Sequence, residues 1–219
     1  MAFFKDKIIK PQDDNALIKT PMTGSKISRC MAINGNVVSC ESIIVDGRVN
    51  GDIICDKSVI IENGAIVFGK IKAKEVRVDG TLEGPIEAEI IEIGKDAVTV
   101  GYMIAISITV SGKCDGDILS ENTLIVEEKA DITTLETKAK IIKIAGTIRG
   151  DITATELLEI NDNGLVEGNV KTKEYFSSSG SRVTGSIRRY VGYISNKSSN
   201  KSEKTLKKEE KSRVIRRIK

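Results

Sequence analysis

The sequence contains no histidine and no tryptophan, and only 4% of its residues are aromatic. Without histidine, the commonest general base and the commonest metal ligand of proteins are missing, so Ser-His-Asp triads and His-ligated metal sites are excluded. A core with few aromatic residues must be filled by Ile, Val, Leu and Ala, a mixture that favours β-strands.

Long hydrophobic runs are also missing. The longest apolar stretch, Tyr102–Val110, is far shorter than the roughly 20 residues that span a bilayer. No N-terminal segment has the apolar stretch of a signal peptide, so we expect a cytosolic protein. The cysteines Cys30, Cys40, Cys55 and Cys114 have no C-x-x-C spacing and lie in apolar runs, which predicts reduced, buried thiols and no metal site.

The formal net charge of +3 is unevenly distributed. From Asn196 to the last residue there are ten Lys or Arg and three Glu, a surplus of seven positive charges, so residues 1–195 carry about −4. The body of the protein is mildly acidic and its C-terminal segment is strongly basic.

One motif is repeated along the chain. VDGRVNGDI, at Val45–Ile53, returns as VDGTLEGPI, VSGKCDGDI and IAGTIRGDI, and a second type of unit such as ENGAIVFGKI lies between the copies. Interleaving the two series places equivalent positions at residues 35, 51, 69, 84, 101, 116, 134, 150, 168 and 185. The chain is therefore built from ten units of about 17 residues, the signature of a repeat architecture.

Within each unit apolar and polar residues alternate, which indicates strands with one buried face. A strand repeat of 17 residues fits a coil of three short strands per turn, joined at corners where glycine adopts positive φ. Successive turns would stack through parallel ladders at ~4.8 Å per rung, giving a rod about 45 Å long. We predict an all-β protein made of a single three-sided parallel β-helix, a solenoid of about ten rungs.

One unit departs from this pattern. In DITTLET, residues 131–137, Thr134 stands where glycine is expected and Glu136 where other units supply an inward Ile. We expect a bulge or a loosened corner there, unless the register slips so that Leu135 points inward.

The two unit types, together with GNVKTKEYF near the end, resemble the bactofilins, a family of bacterial cytoskeletal proteins, over about residues 33–188. The resemblance implies a right-handed β-helix that polymerises end to end without nucleotide. It implies no catalytic residue and no cofactor. The filaments would scaffold cell-shape or cell-envelope machinery, with a paralogue, cell-wall-modifying enzymes or other envelope proteins as further partners. The expected organisation is a flexible leader at 1–26, the bactofilin domain at 27–191 and a basic tail at 192–219.

Solenoid ends carry unpaired backbone groups and usually need caps, yet neither end of this repeat region has an evident capping helix. We therefore expect the ends to be the polymer contacts. At the N-terminal end the candidates are Ile27, Met31 and Ile33, and at the C-terminal end they are Phe176, Val183, Ile187 and Tyr190. Family members often carry an aromatic where this chain has Val183. The alternative for these residues is plain packing of the terminal rungs.

The N-terminal segment MAFFKDKIIKP resembles the membrane-targeting segment of many bactofilins. The candidate membrane contacts are Phe3, Phe4, Lys5, Lys7, Ile8 and Ile9. Such a segment anchors weakly alone, but many copies on one filament bind with avidity. This predicts peripheral contact with anionic lipid at the inner face of the membrane, and the alternative is a disordered leader.

The C-terminal segment ends in a basic stretch with scattered apolar residues. Its candidate residues for binding an anionic surface or an acidic partner are Lys207, Lys208, Arg213, Arg216 and Arg217. No aromatic residue interleaves with them, which disfavours a stacking platform for single-stranded nucleic acid. A solvated chain is the alternative.

Enzymatic β-helices fit the sequence poorly. Left-handed acyltransferases and carbonic anhydrases depend on a six-residue repeat and on histidine, and pectin-lyase-like enzymes are larger and secreted. Asp46, Asp79, Asp115 and Asp151 suggest a carboxylate ladder, but their places in the repeat favour turn chemistry. The remaining alternative is an adaptor that does not polymerise and binds partners, lipid or nucleic acid through its basic tail, which the assembly state would distinguish from a scaffold.

Overall fold

The computed structural model describes residues 24–190. This part of the chain folds into 23 strands that form one continuous parallel sheet, with no helix. The strands stack in three hydrogen-bonded ladders, which we call faces A, B and C, and each turn of the chain contributes one strand segment to each face. Ten such turns, or rungs, follow one another, which confirms the predicted all-β parallel solenoid. The right-handedness of the coil stays a prediction.

Face A consists of β1 Ser25–Ile27, β4 Ile43–Val45, β7 Ser58–Ile61, β10 Glu75–Val78, β13 Ile90–Ile93 and the C-terminal parts of β15 Met103–Val110, β17 Ile118–Val126, β18 Asp131–Ile144, β19 Thr147–Ile160 and β21 Val170–Ser177. Face B consists of β2 Ala32–Asn34, β5 Arg48–Asn50, β8 Ile66–Phe68, β11 Thr81–Glu83, β14 Val98–Val100, β16 Lys113–Asp115, the N-terminal parts of β18 and β19, β20 Leu165–Glu167 and β22 Arg182–Thr184. Face C consists of β3 Val37–Ser39, β6 Ile53–Cys55, β9 Ile71–Lys72, β12 Ile86–Glu87, the N-terminal parts of β15, β17 and β21, the middle parts of β18 and β19, and β23 Ile187–Arg189.

The core fills the inside of the coil with stacked columns of apolar side chains. On face A, for example, one column runs from Val45 through Ile61, Val78 and Ile93 to Val110 in register, and each of these side chains is fully buried. Residues between the column positions face outward. The period-two alternation in the sequence therefore sorts the side chains between core and surface, as predicted.

The corner between faces B and C, the BC corner, requires glycine. Nine of the ten positions that the repeat places in register hold a glycine with φ between 137° and 154°, a region that side chains rarely adopt. The glycines also stack closely: a Cβ built on Gly69 would lie 2.4 Å from the carbonyl oxygen of Gly51. The second glycine of the repeated motif is thus fixed both by backbone conformation and by packing.

The corner between faces A and B, the AB corner, alternates in length. Rungs 1, 3, 5, 7 and 9 use four residues there, and rungs 2, 4, 6 and 8 use two. Each short corner ends in a glycine beneath the long corner of the preceding rung, so that a Cβ on Gly47 would lie 2.4 and 2.5 Å from the carbonyl oxygens of Met31 and Ser28. This alternation explains the two unit types and the period of about 33 residues.

The irregular unit is a bulge in rung 7. Its BC corner has three residues, and the register shifts between Thr133 and Glu136. The Asp117 carboxylate accepts hydrogen bonds from the backbone N–H groups of Leu135 and Glu136, at 3.1 Å each. Leu135 is 84% exposed, and Thr137 takes the inward position. The predicted bulge is confirmed, and the alternative with Leu135 pointing inward is wrong.

The prediction of four buried thiols is only half right. Cys55 and Cys114 are buried on faces C and B, but Cys30 and Cys40 are exposed. Cys30 lies in the AB corner of rung 1, and Cys40 follows face C of the same rung. Corner residues of a terminal rung have a neighbouring rung on one side only, so their apolar sequence context does not bury them.

Candidate functional site

The N-terminal end of the rod is rung 1, where the core columns stop. Ile27, Ile33 and Val37 begin these columns, in register with Val45, Val49 and Ile53 of rung 2. Ile27 is 6% exposed, whereas Ile33 and Val37 are half-buried. The structure thus brings the predicted Ile27 and Ile33 together and adds Val37, which follows Gly35 as Ile53 follows Gly51. Of the predicted residues, Met31 lies beside this surface, in the AB corner, and is 49% exposed.

The C-terminal end is rung 10. Tyr175, Val183 and Ile187 continue the core columns of Leu158, Val166 and Val170. Tyr175 is 36% exposed, Ile187 is 45% exposed and Val183 is half-buried. Within residues 24–190 no further rung covers these side chains, so the described core is open at this end.

The structure separates the other two residues predicted for this end. Phe176 is in register with Glu159, in an outward-facing column, and is 61% exposed. Tyr190 extends the ladder beyond β23, and its N–H donates to the Thr172 carbonyl at 2.8 Å. Sequence periodicity missed Tyr175 because the register shifts between Ala154 and Leu157 in the β19–β21 pairing, which exchanges inward and outward positions.

The two ends also differ in charge. Arg182, Arg188 and Arg189 lie on the last rung and are exposed. Arg189 continues the inward column of Thr172, so a positive charge borders the apolar centre of the C-terminal end. On rung 1 the basic side chains Lys26 and Arg29 are instead paired with Asp46. The C-terminal end therefore has an apolar centre and a basic rim.

The four aspartates that suggested a carboxylate ladder do not lie on one line. Asp46 and Asp79 occupy AB corners, Asp151 occupies a BC corner and Asp115 ends a face B strand. Asp151 accepts a hydrogen bond from the N–H of Asn169 at 3.1 Å, which is the turn chemistry expected. In the described part of the chain no group of three or more Cys, Asp or Glu side chains is placed to hold a metal ion.

The two segments predicted to bind membrane or partners, with Phe3 to Ile9 in the first and Lys207 to Arg217 in the second, lie outside residues 24–190. Between these limits, the structure contains no helix of the length and apolarity needed to cross a membrane.

Comparison with protein families gives a match that covers most of the solenoid. The family model described as "Bactofilin: Polymer-forming cytoskeletal" matches the chain twice, over residues 25–110 and 102–188. Each match spans about half of the rod, and together they cover nearly all of the described solenoid. No curated protein and no solved structure matches the chain. With its ten-rung parallel solenoid and this double match, the chain belongs to the bactofilin family of polymer-forming cytoskeletal proteins.

Proposed function

We propose that this chain is a nucleotide-independent scaffold whose rods join end to end through rungs 1 and 10. The observation that carries the proposal is that both described ends of the core are open, with Ile33 and Val37 at one end and Tyr175 and Ile187 at the other. Terminal strand edges also carry unpaired backbone groups. A second rod stacked on either end would cover the apolar side chains and extend the ladders.

Nucleotide independence is supported by how the glycine corners are filled. A phosphate-binding loop needs open backbone N–H groups around a cavity, but the N–H groups of Gly51, Gly69 and Gly84 already donate to carbonyls of the next rung, at 2.8, 3.0 and 2.8 Å. These N–H groups are not available to a phosphate. We propose no catalytic role for the chain.

The first experiment is negative-stain electron microscopy of the full-length protein in buffer without nucleotide or metal. Filaments are expected for the wild type. Ile187→Arg should abolish filaments and leave the β-structure intact, because stacking would bury an unpaired charge in the contact. Thr184→Arg is the matched control: it adds the same charge to the same rung, at an outward position in register with Glu167, and should still polymerise.

Dispersed single rods of the wild type, confirmed as monomers by light scattering, would contradict the proposal and favour the adaptor that does not polymerise. Equal assembly by Ile187→Arg and the wild type would instead show that the contact is not at the last rung.

We further infer that the filaments lie at the cytoplasmic face of the membrane, where they organise cell-shape or envelope machinery, with the basic C-terminal segment available to an acidic partner. The support is the sequence: Phe3, Phe4, Ile8 and Ile9 stand among three lysines, and filaments multiply weak anchors. Co-sedimentation with vesicles containing phosphatidylserine tests this. Phe3→Ser combined with Phe4→Ser should abolish binding without affecting filaments, and unchanged binding would refute the anchor.

A further inference from the structure

An apolar patch lies on the outside of the rod at its midpoint. Tyr102, Ile104 and Ile106 cross face C of rung 5 from one corner to the other, and Leu119 of rung 6 is in register with Ile104. These side chains are between 39% and 44% exposed. We call them the mid-rod patch. Contiguous exposed apolar residues of this kind mark interaction surfaces.

The patch lies between the fifth and sixth of ten rungs, at equal distance from both ends. A two-fold axis across face C at this level would place the centre of the patch, Ile104 and Leu119, against the same residues of a second copy, with Tyr102 and Ile106 beside the partner's Asp117 and Glu121. The same axis would align two antiparallel rods along their whole length. Such an interface is isologous, since each residue pair occurs twice. A patch elsewhere on the rod would leave the ends of an antiparallel pair unmatched.

We propose that two copies of this chain pack face C against face C in this antiparallel arrangement. At the centre, Ile104 would lie on the partner's Leu119 and Leu119 on the partner's Ile104. The face is about 45 Å long and roughly 15 Å wide, or roughly 700 Å² for each rod, close to the ~800 Å² per partner of stable protein interfaces.

The charges on either side of the patch fit this arrangement. In the central outward column of face C, Glu87 on rung 4 would face the partner's Lys138 on rung 7. At the BC corner, Lys70 on rung 3 would face the partner's Asp151 on rung 8. Within one rod, Lys70 already binds Glu87 at 2.5 Å, so the contact would form a network of alternating charges.

The opposite edge of face C shows the same complementarity. Glu89, which follows rung 4, would face the partner's Lys140, which follows rung 7. Lys74, after rung 3, would face the partner's Glu156, after rung 8. All four side chains belong to exposed residues. Opposite charges thus meet in one residue pair at the BC corner and in two residue pairs at the opposite edge.

The bulge of rung 7 also gains a partner. Its inserted residue, Leu135, is 84% exposed, and the two-fold axis places it opposite the partner's Pro85, in the BC corner of rung 4. The exposed leucine would then cover an apolar ring instead of water.

Parallel packing about an axis along the rod lacks this complementarity. Each rung would face the same rung of its partner, so Glu87 would face the partner's Glu87 and Lys138 the partner's Lys138. At the edges, Asp151 would face the partner's Glu156. Like charges opposite one another cost free energy, so the antiparallel arrangement is the favoured one.

This lateral contact goes beyond end-to-end polymerisation, because face C is separate from the end surfaces. A filament of paired rods would carry twice the mass per unit length of a single one. From 23.8 kDa over ten rungs of ~4.8 Å, a single rod corresponds to about 0.5 kDa per Å and a pair to about 1 kDa per Å.

Scanning transmission electron microscopy of unstained full-length protein measures this quantity directly. The wild type should give the paired value, and Ile104→Asp the single value. Val98→Asp is the matched control, because Val98 belongs to the same rung and is 40% exposed, but lies on face B. It should keep the paired value. The single value for the wild type, or the same response from both variants, would overturn the proposal.

A charge exchange tests the antiparallel register. Glu87→Lys and Lys138→Glu should each give the single value, because each creates two like-charge contacts. The double variant restores opposite charges across the axis and should return to the paired value. No recovery in the double variant would refute this register.

Failure of end-to-end polymerisation would be seen separately. If the protein forms no filaments, sedimentation velocity should still detect a species of twice 23.8 kDa that Ile104→Asp dissociates and Val98→Asp does not. That result would support the lateral contact and refute the end-to-end polymer. A wild type that is monomeric would refute both proposals.

Discussion

The four thiols of this chain differ in burial: Cys55 and Cys114 are buried, and Cys30 and Cys40 are exposed. Burial raises the pKa of Cys114 to about 11, and burial also raises the pKa of Cys55. Both thiols are therefore protonated at pH 8, whereas the nucleophile is the thiolate. Cys30 and Cys40 are exposed on rung 1.

We expect a thiol reagent such as Ellman's reagent at pH 8 to modify Cys30 and Cys40 quickly and the other two thiols only after unfolding in guanidinium. The reagent tests the burial directly, since its colour counts modified thiols. Four fast thiols in the native protein would contradict the described burial.

The stability lost on replacing a corner glycine with alanine should depend on the backbone conformation and packing at that glycine. Gly69→Ala is expected to cost about 2–4 kcal/mol, because φ is +142° and a Cβ would lie 2.4 Å from the Gly51 carbonyl oxygen. Gly180→Ala is the control, since its Cβ would lie 3.5 Å from the nearest atom and its φ lies outside the positive region that disfavours side chains. Thermal unfolding followed by circular dichroism compares them, and equal melting temperatures would refute the argument.

Among the elements of the fold, the bulge of rung 7 depends on one carboxylate. Hydrogen bonds from the N–H groups of Glu136 and Leu135 and from the Thr134 hydroxyl lower the pKa of Asp117. Because the folded pKa lies below the unfolded value, the contribution of Asp117 to stability is present above about pH 4. It is lost as the pH falls through the folded pKa.

Asp117→Ala should therefore destabilise the protein at pH 7 by about 1 kcal/mol, a value reduced by the solvent exposure of the site. At pH 2 to 3 the difference from the wild type should shrink. Asp117→Asn, which keeps an acceptor oxygen, should lose less at pH 7. Melting temperatures at both pH values measure this, and a pH-independent difference would contradict the assigned role.

The sequence predicted the elements where the repeat is regular and failed where it breaks. The nine glycines of the BC corners and the bulge at Thr134 could be located because each unit repeats its spacing. The exposure of Cys30 and Cys40 depends on the missing neighbour of a terminal rung, which no local pattern reports. Tyr175 was missed because one residue fewer at a corner reverses which residues face the core.

For the whole molecule, the alternation of long and short AB corners determines which insertions or deletions of rungs the rod tolerates. Each short corner, such as Asp79–Gly80, packs beneath the carbonyls of a long corner, here Glu62 and Ala65. Long corners follow one another only at rungs 9 and 10 of the described rod. The order of rungs is therefore specified in pairs.

Deleting residues 66–97 removes two rungs. The long corner of rung 3 is then followed by β14, the strand that normally follows the long corner of rung 5. Long and short corners still alternate, so the shortened rod should fold and melt cooperatively. Deleting residues 66–80 removes one rung together with its short corner and places two long corners in successive rungs. This variant should melt at a lower temperature than the two-rung deletion, although less of its chain is missing. Circular dichroism compares the two, and a less stable two-rung deletion would refute the pairing.

This pairing of corners also constrains how rods of this kind change length in evolution. Gene segments that encode about 33 residues can be gained or lost without disturbing the corner packing, and each step changes the rod by two rungs, or ~10 Å. Subunit length then changes only in steps of two rungs. The axial spacing between the termini along a filament changes in the same steps, through duplication or loss of a rung pair.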